Sequence, residues 1–186
     1  IVQASWRETK LEKADASIFV IGQEALIDQP VKHFEQLTQM IPNLNWAGGS
    51  SRPRYFQIRG IGERSGYEGT PNSSVGFIID DIDFSGLGGI ATTFDLEQVE
   101  VHRGPQGLRM GANALAGLIY MQSKNPTDAF EGIAELVYGS DDIKSLGIAM
   151  GGPIDEEEKL KYRVVLRQDE VNGFRNNSWL AKDNTS

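Results

Sequence analysis

Three groups of residues could do chemistry if the fold brought them together. The first lies in VEVHRGPQGLRMGANALAGLIYM, Val99 to Met121, where four glycines, one proline and two arginines sit between two strand-like runs. A loop of that composition can cradle a phosphate on its backbone N–H groups, or it can be a rigid turn. A Walker-type loop requires a lysine and a hydroxyl directly after its last glycine. Gly117 is followed by Leu118 and Ile119, so that chemistry fails. The second group is GLGGIA, Gly86 to Ala91, which matches the spacing of a dinucleotide fingerprint and has an acid downstream at Glu100. The fingerprint needs a crossover helix after its glycines and a ribose-binding acid ~20 residues further on. Glu100 stands 14 positions after Gly86, and ATTFDLEQ between them is too short for that helix. The third group is Asp80, Asp81 and Asp83. Buried together, such acids hold a metal or share a proton. In a tight turn after an apolar strand, solvated acids are the ordinary choice, because aspartate favours turns. No nucleophile and base stand in a recognisable arrangement, so the expectation is a protein that is not an enzyme and carries no cofactor.

Composition narrows the partners. With 26 Asp+Glu against 18 Lys+Arg the net charge is -8, which repels nucleic acid on average. The absence of cysteine removes disulfides, thiolate zinc sites and cysteine nucleophiles. His33 and His102 are far apart and in no metal-ligand spacing. No apolar run approaches the ~18–20 residues of a membrane helix, and no basic-then-apolar leader opens the chain.

The elements that must position these residues change character along the chain. Residues 1–15 are a short apolar stretch with a charged tail and read as a flexible arm outside any core. SIFVIG, Ser17 to Gly22, reads as a strand. In DQPVKHFEQLTQMIPNL a helix is expected, capped by Asp28 with Pro30 in its first turn, burying Val31, Phe34, Leu37 and Met40/Ile41 and ending at Pro42. YFQIRGIG is a short strand ending in a glycine bend, and VGFIIDDIDF a buried strand, an acidic turn and a second short strand. FDLEQ reads as one helical turn, VEVHRG as a strand and LIYMQSK as the last strand of a mixed sheet. These compose a small α+β unit over residues 16–127 with long loops between short strands.

From residue 128 the pattern is strict alternation. Ala134, Leu136 and Tyr138 oppose Glu135 and Val137, and Leu146, Ile148 and Met150 oppose Ser145, Gly147, Ala149 and Gly151. Leu160, Tyr162, Val164 and Leu166 oppose Lys161, Arg163, Val165 and Arg167. Runs about as long as the ~9–11 residues of a membrane-spanning strand fit a barrel wall, and a water-soluble sandwich gives the same alternation.

Four stretches then fall in a familiar order: the helix ending QLTQMIPNLN, then QIRGIG, VGFIIDDI and, most specifically, LEQVEVHRGPQGLRMGANALAGLIYMQSKNP. In these, and in IVQAS near the start, the chain resembles the plug domain and first barrel strands of TonB-dependent outer-membrane receptors. The resemblance implies an α+β plug, a small mixed sheet with short helices, followed by antiparallel strands of an incomplete transmembrane β-barrel. It implies active uptake of a scarce nutrient such as an iron–siderophore complex, with the plug gating the lumen. The competing class is a soluble periplasmic or secreted α+β binding module with a β-sandwich appendage.

The resemblance also implies roles. Ile1, Val2, Gln3, Ala4 and Ser5 match the latter part of a TonB box, captured by strand addition by TonB with its ExbB–ExbD energy coupling. Arg52, Arg54 and Tyr55 match the first plug loop tip, Tyr67 lies in the second polar loop, and Phe84 to Gly89, Leu87 among them, in the third. Together these would meet a small-molecule ligand, and cations with an aromatic neighbour suit an anionic iron chelate. Arg59 and Gly60 of IRG, and Arg103, Gly104 and Pro105 of RGP with Gly111 and Gly117, match plug arginines and structural-turn residues that face barrel-wall carboxylates. Gly104, Gly107, Gly111 and Gly117 are expected to take positive φ or close approaches, which makes the opening loop a rigid turn. Two departures stand out: Leu115-Ala116-Gly117 replaces the usual small-Gly-Gly ending, and Arg109-Met110 the usual aromatic before Gly111. The location implied is the outer membrane, with lipid around the barrel and the plug facing the periplasm. Three strands cannot close a barrel, so the chain is expected to be an N-terminal portion of a longer protein.

Overall fold

The computed structural model describes residues 2, 10, 17–28, 33–48, 53–66, 72–87, 89, 91–107, 113–139, 143–155 and 159–170, and the backbone alone of 172–177 and 182–185. The chain divides into two compact units, Ile1–Lys124 and Asn125–Ser186.

In the first unit, β1 (Ser17–Gly22), β4 (Val75–Ile79), β5 (Ile82–Asp83), β6 (Leu96–Arg103) and β7 (Gly117–Ser123) form a sheet in the order β1-β6-β7-β4-β5. Only β4 and β7 run parallel; the other pairs are antiparallel. A separate ribbon pairs β2 (Leu44–Ala47) with β3 (Tyr55–Ile58). Two short helices, α1 (Gln23–Ile27) and α2 (Phe34–Leu37), cover one face of the sheet, α2 running on into a 3-10 turn at Thr38–Met40. Alternation decides what lies beneath them. Val99 and Val101 of β6 and Ile119 and Met121 of β7 join Leu26, Phe34, Leu37 and Phe77 in one fully enclosed core. At its centre Phe34 meets Phe56 and Phe77 edge-on, with ring centroids 5.4 and 5.0 Å away. Such geometry contributes about 0.5–1.5 kcal/mol per pair beyond area burial.

The opposite face of β6 is polar yet equally buried. Glu100 is 0% exposed, Gln98 Nε2 donates to its Oε1 at 2.7 Å, and His102 Nε2 lies 2.7 Å from its Oε2. Register places Glu100 between Val20 of β1 and Tyr120 of β7, so strands flank the carboxylate on both sides. A carboxylate removed from water in this way is tolerable only because donors replace its hydration.

Several expectations need correction. Asp28 does not cap a helix start; it is the C-terminal cap of α1, its N–H reaching Glu24 O at 3.2 Å. Phe34, Leu37 and Ile41 are buried, but Met40 is exposed, because the helix tightens to 3-10 after Leu37. Pro30 and Val31 lie outside the described residues. Leu96-Glu97-Gln98 is strand, not a helical turn. Asp95 turns the chain with φ +60°, and Leu96 and Gln98 pair with Ser123 and Gln122 of β7, so tertiary pairing overrides local helix preference. The strand β2 and helix α1 were not anticipated. Val2, assigned to an arm outside the core, is 1% exposed.

The β4–β5 hairpin turns on Asp80 and Asp81, with φ +48° and +68°. A two-residue hairpin loop needs positive φ at both central residues, and aspartate tolerates it better than most. Asp80 earns its place separately: Oδ1 takes Ser123 N–H at 2.8 Å and Oδ2 takes the Ser123 hydroxyl at 2.6 Å, locking the turn to the end of β7. Asp81→Val is therefore expected to cost about 1–2 kcal/mol from the forced left-handed backbone, whereas Asp81→Gly, which keeps that backbone and gives up only side-chain contacts such as the one from Tyr120 Oη at 3.4 Å, should cost less. Equal losses in both variants would refute the backbone explanation.

In the second unit β8 (Glu131–Tyr138), β9 (Lys144–Pro153) and β10 (Lys161–Glu170) form an antiparallel sheet with β9 in the middle. A further ribbon pairs β11 (Asn172–Asn177) with β12 (Lys182–Thr185). Ala134, Ile148 and Leu166 share one cross-strand row, and Glu135, Gly147 and Arg167 the next, on the other face.

Candidate functional site

Loops of the first unit enclose a cavity of about 470 Å³ whose walls include Arg54, Tyr55, Glu63, Asp83, Ser85 and Asn113. Each comes from a different constraint. Arg54 and Tyr55 stand at the start of β3, the guanidinium 5.5 Å from the Tyr55 ring centroid. Ile58 and Ile61 exchange backbone bonds of 2.9 and 3.0 Å around Arg59 and Gly60, whose φ values are +55° and +81°. This tight turn returns the chain to Glu63, which accepts from Ser74 N–H at 2.9 Å and from the Ser74 hydroxyl at 2.5 Å. Asp83 receives Ser85 N–H at 2.8 Å, and Ser85 Oγ receives Phe77 N–H at 3.0 Å, so the third loop is stitched to β4. Gly89 has no room for a side chain: an added Cβ would stand 1.7 Å from Pro53 O, which shows how closely the third loop presses on the first.

Residues 104–107 and 113–116 extend the β6–β7 hairpin beyond its strands. Gly104 N–H donates to Ala116 O at 3.0 Å and Gln106 N–H to Ala114 O at 2.9 Å, while Ala114 and Ala116 N–H donate to Ser73 and Ser74 O at 2.9 and 2.8 Å. These four donors are consumed by carbonyls, so none of the four is aimed at an anion. Gly104 takes φ +126°, and a Cβ on Gly117 would lie 2.3 Å from His102 O, so both glycines are required. Gly107 needs neither freedom, since a Cβ there would meet nothing within 4 Å, contrary to expectation. Gly111 lies outside the described residues, and Pro105 is exposed beside the turn.

The other expected site residues fall as follows. Arg54 and Tyr55 line the cavity. Phe84 packs against the main core instead, and Leu87 is 64% exposed. Arg52 and Tyr67 lie outside the described residues, as do Ile1, Gln3, Ala4 and Ser5, whereas Val2 is buried. Arg59 is exposed rather than buried, because its turn projects from the ribbon. Arg103 is half-buried, and its Nε is enclosed with no hydrogen-bond partner among the described residues. Glu63, Asp83 and Asn113 are not among the expected ligand contacts, whereas Ser85 belongs to the third tip, Phe84 to Gly89. Asp83 carried a signal as part of an acidic turn, but its wall partner Asn113 is 30 positions away.

In the second unit the two faces of the sheet differ in chemistry. Leu136 and Tyr138 are 82% and 78% exposed, and Leu160 and Leu166 are exposed too. On the other face the Arg167 side chain is only 6% exposed. It bonds Glu135 Oε1 at 3.0 Å, Asp169 Oδ2 at 2.9 Å and Ser145 Oγ at 2.7 Å. Gly147, between Glu135 and Arg167, leaves room for the guanidinium to cross the middle strand.

A plug-type mixed sheet with few helices, followed by antiparallel strands of an unclosed barrel, defines the class of this protein. Residues 10–118 match the TonB-dependent Receptor Plug Domain, and the chain belongs to that family. It is 23% identical over 159 residues to the ferripyoverdine receptor of Pseudomonas aeruginosa, covering 85% of this chain and 19% of that one. To the vitamin B12 transporter of Vibrio vulnificus it is 29% identical over 89 residues, 48% of this chain and 14% of that one. The crystal structure of the ferric yersiniabactin uptake receptor from Yersinia pestis superposes with a TM-score of 0.79 at 24% identity, over 92% of this chain and 27% of that one. The chain thus spans about a fifth of the ferripyoverdine receptor's length.

Proposed function

We propose that this chain supplies the lumen plug and first wall strands of an outer-membrane receptor for active uptake of a scarce nutrient, an iron chelate. The observation that carries this reading is the two-faced sheet of the second unit: exposed aliphatic side chains on one face and paired, largely covered charges on the other, as a strand needs when lipid lies on one side and a polar lumen on the other. The cavity at the loop tips forms the floor on which ligand rests, with Arg54 and Tyr55 as its contacts. No covalent step is involved. Residues 1–5 are the segment that TonB captures, and its pull shifts the plug. Membrane fractionation and uptake of labelled iron chelates in a strain lacking the gene test this. The complemented strain should place the full-length product in the outer membrane and restore uptake. Deleting residues 1–5 should abolish uptake and leave chelate binding intact. A product soluble without detergent would sink the reading.

Arg59 and Arg103 fit the role of plug arginines that meet barrel-wall carboxylates. The enclosed Nε of Arg103 supports this, because an enclosed donor left without a partner is costly, and breaking a buried pair costs about 3–5 kcal/mol. In the full-length protein, Arg103→Ala and Arg59→Ala are expected to lower uptake and loosen the plug to protease. Uptake and protection equal to wild type in both variants would exclude the pairing.

A further inference from the structure

The exposed face of the sheet β8–β9–β10 carries marks of depth. Register sets its side chains in rows across the three strands, all of them described residues. One end row holds Ile154 and Leu160, both exposed and joined by Ile154 N–H to Leu160 O at 2.7 Å. Charge gathers at this end: Asp155 Oδ1 accepts Leu160 N–H at 2.9 Å, and Lys161 pairs with Asp128. The other end row is Tyr138, Lys144 and Glu170, one residue from each strand. Between the two end rows this face bears no charged side chain, and Gln168 is its one polar member. Tyr162 sits one row inside the first end, across Gly152, and Tyr138 marks the second. On the opposite face charge recurs at mid-depth, where Glu135 and Arg167 stand one step from the row of Ala134, Ile148 and Leu166.

The separation of the two ends fits one partner. Lys144 and Ile154 are ten residues apart on one strand, or ~33 Å at ~3.3 Å per residue. A strand tilted about 40° covers ~25 Å of depth over that length, the height of the apolar band on outer-membrane barrels. Charge matches a bilayer in the same way, absent where hydrocarbon would lie and present where water begins. We infer that bilayer hydrocarbon covers this face between the two end rows, with Tyr138, Lys144 and Glu170 in one headgroup layer and Asp128, Asp155 and Leu160 in the other. The tyrosines suit those layers, since each has an apolar ring and a polar tip. The inference rests on the receptor reading above and adds where on this chain the membrane stops.

Nitroxide labels on single cysteines of the full-length receptor, reconstituted in phosphatidylcholine vesicles, test the assignment. Collision with dissolved oxygen reports hydrocarbon, and collision with a neutral nickel chelate reports water. The ratio of oxygen to nickel access should peak at Ile148→Cys and Leu166→Cys and fall to its aqueous value at Lys144→Cys and Leu160→Cys. Ile133→Cys and Val165→Cys, on the opposite face, should show no oxygen excess. Should the label at residue 148 block assembly, Ala134→Cys in the same row replaces it. An oxygen excess that persists at Lys144→Cys or Leu160→Cys, or that is already lost at Leu136→Cys or Val164→Cys, overturns the boundaries and leaves the receptor reading standing. Nickel access at its aqueous value in every variant overturns the receptor reading and the inference together.

Discussion

Glu100→Ala is expected to lower the stability of the first unit by about 3–5 kcal/mol, a large share of the roughly 5–15 kcal/mol that holds an ordinary domain together. The carboxylate is fully enclosed, and its removal strands two donors, Gln98 Nε2 and His102 Nε2, in a space that strands close from both sides. The loss comes from desolvated groups left without partners, more than from the bonds themselves. Glu100→Gln should cost less, since its amide keeps one acceptor and turns the other into a clashing donor. The triple replacement of Gln98, Glu100 and His102 by leucine should recover much of the loss, because an apolar row of similar volume leaves nothing unsatisfied. Urea titration of the chain followed by tryptophan emission measures all three. A Glu100→Ala loss below about 0.5 kcal/mol, the usual size for a surface substitution, would mean that the carboxylate is not buried as described.

The second large effect is expected at Gly117. Its φ of +158° and a phantom Cβ 2.3 Å from His102 O and 2.6 Å from Ile58 Cδ1 leave no room for alanine. Combining steric overpacking with backbone strain, Gly117→Ala should cost about 2–5 kcal/mol. The position matters because Gly117 is paired to Arg103 of β6 and to Val75 of β4, so displacing it opens both ladders at once. Hydrogen exchange should accelerate across β4 and β7 together. Gly107→Ala, in the same hairpin tip but with open space around it, is the control and should leave the urea midpoint unchanged. Parallel losses at both glycines would show that general flexibility of the tip, and not the close approach to His102, is what glycine provides there.

Much of the framework follows from local pattern alone. The alternation of Val99 and Val101 with polar neighbours, the apolar run Val75–Ile79 and the glycine-bounded RGP block mark β6, β4 and the hairpin without any knowledge of neighbours, because period 2 and backbone freedom are properties of a few adjacent residues. The same holds for the faces of β8, β9 and β10, where register kept Ala134, Ile148 and Leu166 in one row. Partnership across the chain decided the rest. LEQ became strand because β7 offered ladder partners to Leu96 and Gln98, with β1 joining at Gln98. Gln98, Glu100 and His102 look in sequence like a solvated strand face, and only the two flanking strands make them a buried network. The cavity depends on Pro53 meeting Gly89 and on Asp83 meeting Asn113, contacts spanning 30 or more positions. Spacing along a chain encodes which way a side chain points, but what it points at is fixed by loop ends meeting through many weak, distant contacts, and no local pattern carries that information.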